Sequence, residues 1–542
     1  MANLSIKSKL LTMLLAVSLF SIATVASLNY YATYKALEAS ALSHLTSLRA
    51  ARADQLEQLV ERLRDETRMV AGNASIVEAS RDFISAYRAL ENVTIDPSMD
   101  LALHQYYQQS FLPEYEKETG QVPELDPMLP ATPAARYLQY QWMAHNPFPI
   151  AEKDKLVRAD DDSAYSRAHE KWHPVITRLF DSLGFKGIVI VDIETGAIVY
   201  TRRKLPDFAT RLSDGPWAHT HAAELFRRIQ RAPERTTVDI EDFELFRPYF
   251  DEPSSFFATP IFDGGRAIAV LMLRLSTERI DQVMTGGHQW ERDGLGKTGE
   301  AYVVGHDFRM RSNSRFLIEA PEQYAQALQQ TGMPERDIAE IMREKSTILL
   351  QKVRSTAAQE ALAGNEGTGP VVDYRGVDIL GSWAPLHIAG LDWGIVAKIN
   401  SDEAYAPMRK MARNTLIQTL LILLLITLVV MFLATSFVRP VNELIARVKL
   451  ARSGNTDMAF AAESTDEIGD LARSFRELID SVRKQTNLLE QVTTEHQQLL
   501  ESVMPKGMAQ RDYLHLTKKG YELQGHLLFN ALMESYNKTK VQ

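Results

Sequence analysis

Histidines at helical spacing are the residues in this sequence whose pattern could do chemistry. His169 and His173 are an i, i+4 pair, and His219 and His221 form a second pair. A helical pair at that spacing can chelate zinc when a third ligand converges on it. The sequence has no His-Glu-x-x-His motif, and it has no cysteine, which removes thiolate nucleophiles and cysteine-bound metals. We therefore expect no metal, no cofactor and no catalytic residue.

The length and charge of the chain narrow the function classes further. At 542 residues it is too long for one hydrophobic core, and this length predicts roughly three to five structural units. It carries 60 Lys and Arg residues against 69 Asp and Glu residues, a net charge of −9, with no long basic run. Proteins that bind nucleic acid neutralise phosphates with clustered cations, so nucleic acid is not an expected partner.

Two uncharged apolar segments divide the chain. Residues 10–34 and 415–437 are each long enough for the ~20 residues that a helix needs to cross the hydrocarbon core of a membrane. The alternative for the first segment is a cleaved signal peptide, since Ala26 could precede a cleavage site. Lys7 and Lys9 before the first segment place the N-terminus in the cytoplasm by the positive-inside rule. With two spans, residues 35–413 would lie outside and residues after 438 inside.

The outer region has the pattern of an α+β domain. Residues 35–89 are helical in character and predict a stalk helix near the membrane. Two strand pairs with glycine-containing turns follow, one around Asp192-Ile-Glu-Thr-Gly196 and one around Asp263-Gly-Gly265. The order helix, hairpin, helix, hairpin is typical of a PAS-like sensor module. A similar order recurs from residue 301 to residue 400, which predicts a second module.

Several blocks of this region resemble the double Cache family of extracellular sensors. In the membrane-distal half they are Tyr165, His169-Glu-Lys-Trp172-His173-Pro174, residues 187–200 and Lys204-Leu-Pro-Asp207-Phe208. In the membrane-proximal half they are residues 294–302, residues 310–314 and Asp392-Trp393-Gly394. The resemblance implies two PAS-like modules on a long N-terminal helix, with a pocket for a small ligand in the distal half.

The pocket residues depart from those of amino-acid-binding Cache sensors. Those members carry Arg-x-Trp with a following aromatic residue on the pocket helix, and an Asp on the last distal strand. This chain has Glu170-Lys-Trp172-His173 at the first place and Arg274 at the second, so both charges differ. The expected ligand-binding residues are Trp172, His173, Tyr200, Lys204, Asp207 and Arg274. Because a buried cation needs an opposite partner, they favour an organic anion. The alternative is that Trp172 belongs to the core and that Lys204 and Arg274 are solvated.

The segment after the second span has the pattern of a helical transmitter. Apolar residues fall at 3,4 spacing in two stretches, joined by a connector that contains Gly454, which predicts a parallel bundle. Pro440 and the run Asp466-Glu467-Ile468-Gly469 resemble the HAMP domain, and the resemblance implies that Pro440, Glu467, Ile468 and Gly469 take part in signalling. The second stretch continues as a heptad, which predicts a coiled-coil rod and a homodimer.

The C-terminal residues resemble pieces of two enzyme classes. Residues 499–511 resemble the linker before the catalytic domain of class III adenylate or guanylate cyclases. Asp512-Tyr-Leu-His515 resembles the closing block of SGNH esterases, in which the Asp orients the His and the His activates a serine. No Gly-Asp-Ser nucleophile motif and no cyclase domain are found, so we do not expect an enzyme. An amphipathic helix is predicted over residues 518–537.

Together these patterns predict a dimeric two-span sensor of the bacterial inner membrane with a small extracytoplasmic ligand and an unidentified cytoplasmic partner. The alternative is a truncated receptor-type cyclase. The predicted segments are 1–9 in the cytoplasm, 10–34 as the first span, 35–89 as the stalk, 90–285 and 286–413 as Cache modules, 414–437 as the second span, 438–490 as HAMP, 491–511 as linker and 512–542 as tail.

Overall fold

The computed structural model describes residues 6–452, 466–503 and 518–539. The helices are α1 Ile6–Ala71, α2 Ala74–Arg88, α3 Pro97–Tyr106, α4 Leu112–Thr119, α5 Pro133–Gln139, α6 Ala164–Asp181, α7 His221–Arg231, α8 Thr277–Thr285, α9 Arg315–Glu319, α10 Pro321–Gln330, α11 Glu335–Glu344, α12 Thr356–Leu362, α13 Ser401–Ala404, α14 Ala406–Arg452, α15 Glu467–Val503 and α16 Lys518–Thr539. The strands are β1 Gly187–Asp192, β2 Ile198–Thr201, β3 Asp239–Phe246, β4 Glu252–Asp263, β5 Arg266–Arg274, β6 Glu300–Gly305, β7 Gly367–Val372, β8 Asp378–Pro385 and β9 Trp393–Asn400.

The chain divides into two compact units, residues 29–412 and residues 1–28 with 413–542. Both sheets belong to the unit of residues 29–412. Two helical stretches, Thr12–Ala71 and Ala406–Leu450, are long and apolar enough to cross a membrane by length and composition. The first overlaps the predicted span 10–34, and the second contains the predicted span 414–437.

The predicted stalk over residues 35–89 is two helices. Helix α1 ends at Ala71, and the Asn73 side chain caps α2 by accepting a hydrogen bond from the Ser75 amide at 2.9 Å. An Asn before a helix start satisfies an amide that would otherwise lack a partner, so the break is encoded locally. Helix α2 packs against α6 and the first sheet.

The first sheet is antiparallel, in the order β2-β1-β5-β4-β3. Strands β1 and β2 form the hairpin predicted around Asp192-Ile-Glu-Thr-Gly196, and Gly196 adopts φ +73°, which glycine tolerates at little cost. Strands β4 and β5 form the hairpin predicted around Asp263-Gly-Gly265, with Gly264 at φ +62°. All six residues of β1 are buried, so this strand lies in the centre of the core.

Helix α6 covers this core with one aromatic face. Ser163 caps its start, accepting from the Ser166 amide at 3.0 Å. The buried side chains recur at helical spacing, as an amphipathic helix requires. They include Tyr165, His169, Trp172, His173, Ile176 and Phe180. Of the candidate residues on this helix, His173 contacts Tyr200 of β2, whereas Trp172 contacts Asp82 of α2.

The second sheet, also antiparallel, has the order β6-β9-β8-β7. Helix α12 packs against β7, β8 and β9. An ion pair ties the two sheets together: Arg311, which follows β6, donates from Nε and Nη2 to Asp242 on β3, both at 2.8 Å. The structure is therefore a mixed α and β fold with two sheets, as the sequence predicts at this level.

The helical part after residue 413 carries exposed apolar side chains. Helix α14 runs through Pro440 without a break, and α15 begins at Glu467. Along α15, Leu471, Leu478 and Leu489 are largely exposed. The predicted C-terminal helix is α16, Lys518–Thr539. The HAMP connector and Asp512 and His515 of the esterase resemblance lie outside the described residues, and the tail assignment remains an untested prediction.

Candidate functional site

The Lys204 ammonium lies in a buried aromatic cage after β2. Its side chain donates to the carbonyl of Thr201, and Lys204 is 1% exposed. Nζ lies 4.9 Å from the ring centre of Tyr200, 5.0 Å from that of Phe208 and 5.7 Å from that of Trp142. No carboxylate of the described residues lies within ion-pairing distance of it. Lys204 is thus a fully buried cation whose only close partners are a carbonyl and aromatic faces.

Burial acts directly on the acid-base properties of this lysine. Desolvation disfavours the charged form and lowers the pKa of Lys204 to about 7, although the more distant carboxylates of Asp154 and Asp207 oppose the shift. The pKa of Lys204 therefore lies near neutral pH, where the lysine is only partly protonated. An anion placed beside Nζ would favour the charged form and raise this pKa again.

His173 and Tyr200 form a hydrogen-bonded chain next to the cage. His173 Nε2 lies 2.7 Å from the carbonyl oxygen of Asp154, and Nδ1 lies 2.9 Å from the Tyr200 hydroxyl. Because a carbonyl oxygen only accepts, Nε2 carries the proton and Nδ1 accepts from Tyr200. Burial and the nearby Lys204 lower the pKa of His173 to about 4, so the ring is neutral at physiological pH. Both nitrogens of His173 are occupied.

His169 and Trp142 leave two polar atoms unpaired in the same cluster. His169 Nδ1 lies 2.8 Å from the Val157 carbonyl and so carries the proton, which makes Nε2 an acceptor. Neither His169 Nε2 nor Trp142 Nε1 has a hydrogen-bond partner among the described residues. The two ring centres are 4.0 Å apart. Burial, followed by the charge of Lys204, lowers the pKa of His169 well below its ordinary value.

The two histidines of the i, i+4 pair do not form a chelating pair. Their rings stack with centres 4.4 Å apart, and His173 has no nitrogen free. In the second pair, His221 Nδ1 lies 3.1 Å from the carbonyl oxygen of Asp242. Within the part of the chain that the structure describes, no group of three or more metal-ligating side chains is found.

Trp172 lies on the same helix but makes a different contact. Its Nε1 donates to Asp82 of α2 at 2.7 Å, and the Lys171 ammonium lies 4.2 Å from the centre of its ring. Lys171 also pairs with Asp82 at 3.1 Å. Trp172 therefore links α6 to α2, and no contact places it against Lys204.

Arg274 and Asp207 belong to a second polar cluster. Arg274 is 1% exposed and donates from Nη1 to Glu252 at 2.8 Å, and its guanidinium stacks over Tyr249 at 4.4 Å. Burial opposes it, but Arg274 and Lys186 together lower the pKa of Glu252 to about 2. Arg274 is thus already paired. Lys204 and Arg274 are both buried, so the alternative that they are solvated is wrong.

Asp207 is the less satisfied member of that second cluster. Its Oδ2 accepts from the Tyr249 hydroxyl at 3.5 Å, and its Oδ1 has no partner among the described residues. Burial raises the pKa of Asp207 to about 7, although the charges of Arg274 and Arg203 oppose the shift. The structure therefore brings together His173, Tyr200 and Lys204, and it separates them from Trp172 and from Arg274.

Two members of the cage, Trp142 and Phe208, are not among the predicted ligand-binding residues, and neither is His169, which the sequence indicates as a candidate zinc ligand and as part of a Cache-like block. Trp142 lies in a π-helical turn, Tyr140–Ala144, in a segment rich in proline and aromatic residues. Such a segment has no periodicity that would show which side chain points inward. The one available signal was His169, which shares the buried face of α6 with His173.

The second sheet holds a buried charged cluster whose members are satisfied. Lys398 pairs with Asp373 and, at 3.1 Å, with Glu300, while Arg375 pairs with Asp373 at 2.6 Å. Two cations face two carboxylates, and the Tyr374 hydroxyl donates to Glu300 at 2.9 Å. This cluster calls for no added ion, in contrast to the Lys204 cage.

The predicted HAMP residues lie on two helices. Pro440 lies within α14, and Glu467, Ile468 and Gly469 form the first turn of α15. The Asp466 carboxylate accepts from the Gly469 amide at 3.0 Å, which caps the helix start. Gly469 is buried while Glu467 is exposed.

Residues 432–484 match the HAMP domain family. The HAMP prediction is confirmed, with bounds a few residues earlier than the predicted 438–490. A HAMP domain that begins inside a candidate membrane-spanning helix identifies the chain as a membrane sensor protein of signal transduction.

Solved structures also match residues of this chain. One is the ligand-binding domain of the Pseudomonas aeruginosa amino acid chemoreceptor PctB with L-Arg, at 14% identity and TM-score 0.26, over 43% of this chain and 80% of that one. A second is that of the Pseudomonas fluorescens chemoreceptor CtaA with L-leucine, at 13% identity and TM-score 0.25, over 49% and 83%. A third is an extracellular ligand binding receptor from Desulfohalobium retbaense, at 14% identity and TM-score 0.26, over 57% and 41%. TM-scores this low do not establish a shared fold.

Proposed function

We propose that the chain is a two-span receptor of the bacterial inner membrane that binds a small organic anion around Lys204 and passes the signal through its HAMP domain. The observation that carries the proposal is the state of Lys204, a buried lysine with no carboxylate partner among the residues that the structure describes. A buried lysine is normally paired with an opposite charge or loses its proton, and an anion bound beside Lys204 would supply the missing partner and hold the lysine in its charged form.

The contrast with other buried cations supports this assignment. Arg274, Arg311 and Lys398 are each buried and each contact at least one carboxylate. Lys153 is buried without a carboxylate, but it donates to the carbonyls of Met143 at 2.7 Å and Asn146 at 2.8 Å. Lys204 has one such carbonyl and unpaired polar atoms around it. An added anion would therefore form more new polar contacts at Lys204 than at Arg274, Arg311, Lys398 or Lys153.

The proposed receptor acts as a homodimer. Leu478 is 60% exposed and Leu489 71% exposed on α15, at heptad-compatible positions of one helix face. Apolar knobs of this kind pack into the holes of a facing helix in parallel coiled coils. The cytoplasmic partner that reads the dimer is a protein of unidentified class.

A binding measurement on the full-length protein in lipid nanodiscs tests the anion site. Titration calorimetry with short organic acids should give saturable binding that Lys204→Met weakens at least about tenfold, because a charged partner is lost. Lys117→Met is the control, since it removes an exposed lysine that pairs with Glu114 outside the cage and should leave the affinity unchanged. Equal affinities for the wild type and Lys204→Met would show that Lys204 does not hold the ligand.

A further inference from the structure

We infer that the ligand of the proposed anion site is a short 2-hydroxy carboxylate. This inference rests on the proposed function. The three unfilled hydrogen-bonding positions around the Trp142 ring are of two kinds, and together they specify the ligand. Lys204 Nζ and Trp142 Nε1 are donors, and His169 Nε2 is an acceptor.

The donors define the anionic end of the ligand. An ammonium has three N–H groups, and only one of those of Lys204 is used, in the bond to Thr201. Trp142 Nε1 can only donate. A single carboxylate offers two acceptor oxygens, one for each donor, and its charge neutralises the one cation of the cage. A dicarboxylate would bring a second negative charge for which the cage holds no cation.

The acceptor defines what stands next to the carboxylate. The Val157 carbonyl fixes the proton of His169 on Nδ1, so Nε2 is an acceptor that a donor on the ligand would satisfy. A ligand without such a donor would not form this hydrogen bond to the buried Nε2 and should bind less tightly. His169 and Trp142 are in ring contact, at 4.0 Å between centres, so the donor must be close to the carboxylate. A group on the 2-carbon meets that requirement.

The charge of the cage decides between a hydroxyl and an ammonium. Lys204 lies close enough to lower the pKa of His169, and a second cation would be repelled by its ammonium in the same desolvated space. The neutral rings of His169, His173 and Tyr200 supply no compensating negative charge. A hydroxyl donates one hydrogen bond without this repulsion. The competing acceptor for an ammonium is Asp207, whose Oδ1 is also unpaired.

A panel of three-carbon acids tests the inference on the full-length protein in nanodiscs. Lactate, as separate enantiomers, should bind at least about tenfold more tightly by calorimetry than propionate and pyruvate, which lack a donor on the 2-carbon. L-Alanine should bind more weakly than the preferred lactate. In His169→Leu the preference for lactate over propionate should disappear, whereas His169→Gln, whose amide oxygen accepts, should restore part of it.

The outcomes separate the two proposals. If propionate binds as tightly as lactate, and Lys204→Met weakens both, the hydroxyl inference is overturned while the anion site stands. If alanine binds more tightly than lactate, the inference is overturned and Asp207 becomes the ammonium acceptor. If no acid of the three-carbon panel binds, the hydroxyl inference is overturned, and the anion site is overturned as well only if the other short organic acids also fail to bind. The comparison of wild-type affinities needs no variant, so misfolding of a His169 variant would not obscure the result.

Discussion

Removal of the Asp242 carboxylate should destabilise the unit of residues 29–412 because it leaves a guanidinium buried without its main partner. Asp242 on β3 accepts two hydrogen bonds from Arg311, both at 2.8 Å, and one from Trp393 Nε1 at 3.0 Å. Arg311 is 1% exposed. Asp242 therefore joins the first sheet to two segments of the second, through a bidentate pair and an indole bond.

The magnitude follows from what Asp242→Ala leaves behind. Breaking one side of a buried pair costs about 3–5 kcal/mol, because the remaining charge stays desolvated. Arg311 would keep the Arg309 carbonyl at 2.9 Å and the partly exposed Asp307 carboxylate at 3.0 Å, which favours the low end of that range. The lost indole bond adds about 1 kcal/mol. The expected loss in the free energy of unfolding is about 3–4 kcal/mol.

Urea unfolding followed by tryptophan fluorescence measures this loss on the nanodisc-embedded protein. Asp307→Ala is the matched control, since it removes the partly exposed second partner of the same guanidinium and should cost about 1 kcal/mol or less. Asp242→Asn keeps an acceptor for Trp393 and should fall between the two. A loss below about 1 kcal/mol in Asp242→Ala, or one equal to that of the control, would refute the reasoning.

Two further predictions concern Lys204 and the helical rod. The folded-state pKa of Lys204, about 7, is below its ordinary 10.5, so between these values the unfolded chain binds more protons and the stability of the wild type should rise with pH. Lys204→Met should therefore be more stable than the wild type by up to about 4 kcal/mol at pH 7. Denaturation curves should show this difference in the free energy of unfolding shrinking toward pH 10. A difference that does not depend on pH would contradict the reasoning. In the rod, Phe475→Asp should abolish disulfide cross-linking between two copies carrying Leu478→Cys, because a charge enters the apolar seam. The chain has no native cysteine to interfere, and unchanged cross-linking would argue against a parallel dimer.

The parts of the fold that the sequence predicts correctly are those encoded by neighbouring residues. The two hairpins follow from glycine-containing turns between apolar runs, and the HAMP domain from Pro440 and the Asp466-Glu467-Ile468-Gly469 run. The break between α1 and α2 was also encoded locally, by Gly72 and Asn73. The helical composition of residues 35–89 predicts one stalk helix and does not reveal this break, because composition does not show where one helix ends and the next begins.

The candidate site was less predictable because its partners come from distant segments. Lys204 is contacted by Trp142, far earlier in the chain, and Arg274 is neutralised by Glu252 of the adjacent strand. Lys204 and Arg274 carry the same formal charge, so the sequence does not show which of them pairs with a carboxylate of the protein. The pairing depends on how the chain packs. The Asp82 partner of Trp172 likewise comes from a separate helix, α2.

The unpaired lysine also bears on how binding could drive a receptor. Restoring the pKa of Lys204 from about 7 to its ordinary 10.5 corresponds to an interaction of about 4–5 kcal/mol between the ammonium and an incoming anion. The coupling between a ligand and a conformational change is typically about 1–3 kcal/mol. A ligand changes a conformational equilibrium only by its differential affinity for the two states, so the cage must hold the anion better in one of them. If Lys204 were paired with a carboxylate of the protein, as Arg274 is with Glu252, its charge would be neutralised without a ligand. The difference in ligand affinity between the two conformational states would then be lost.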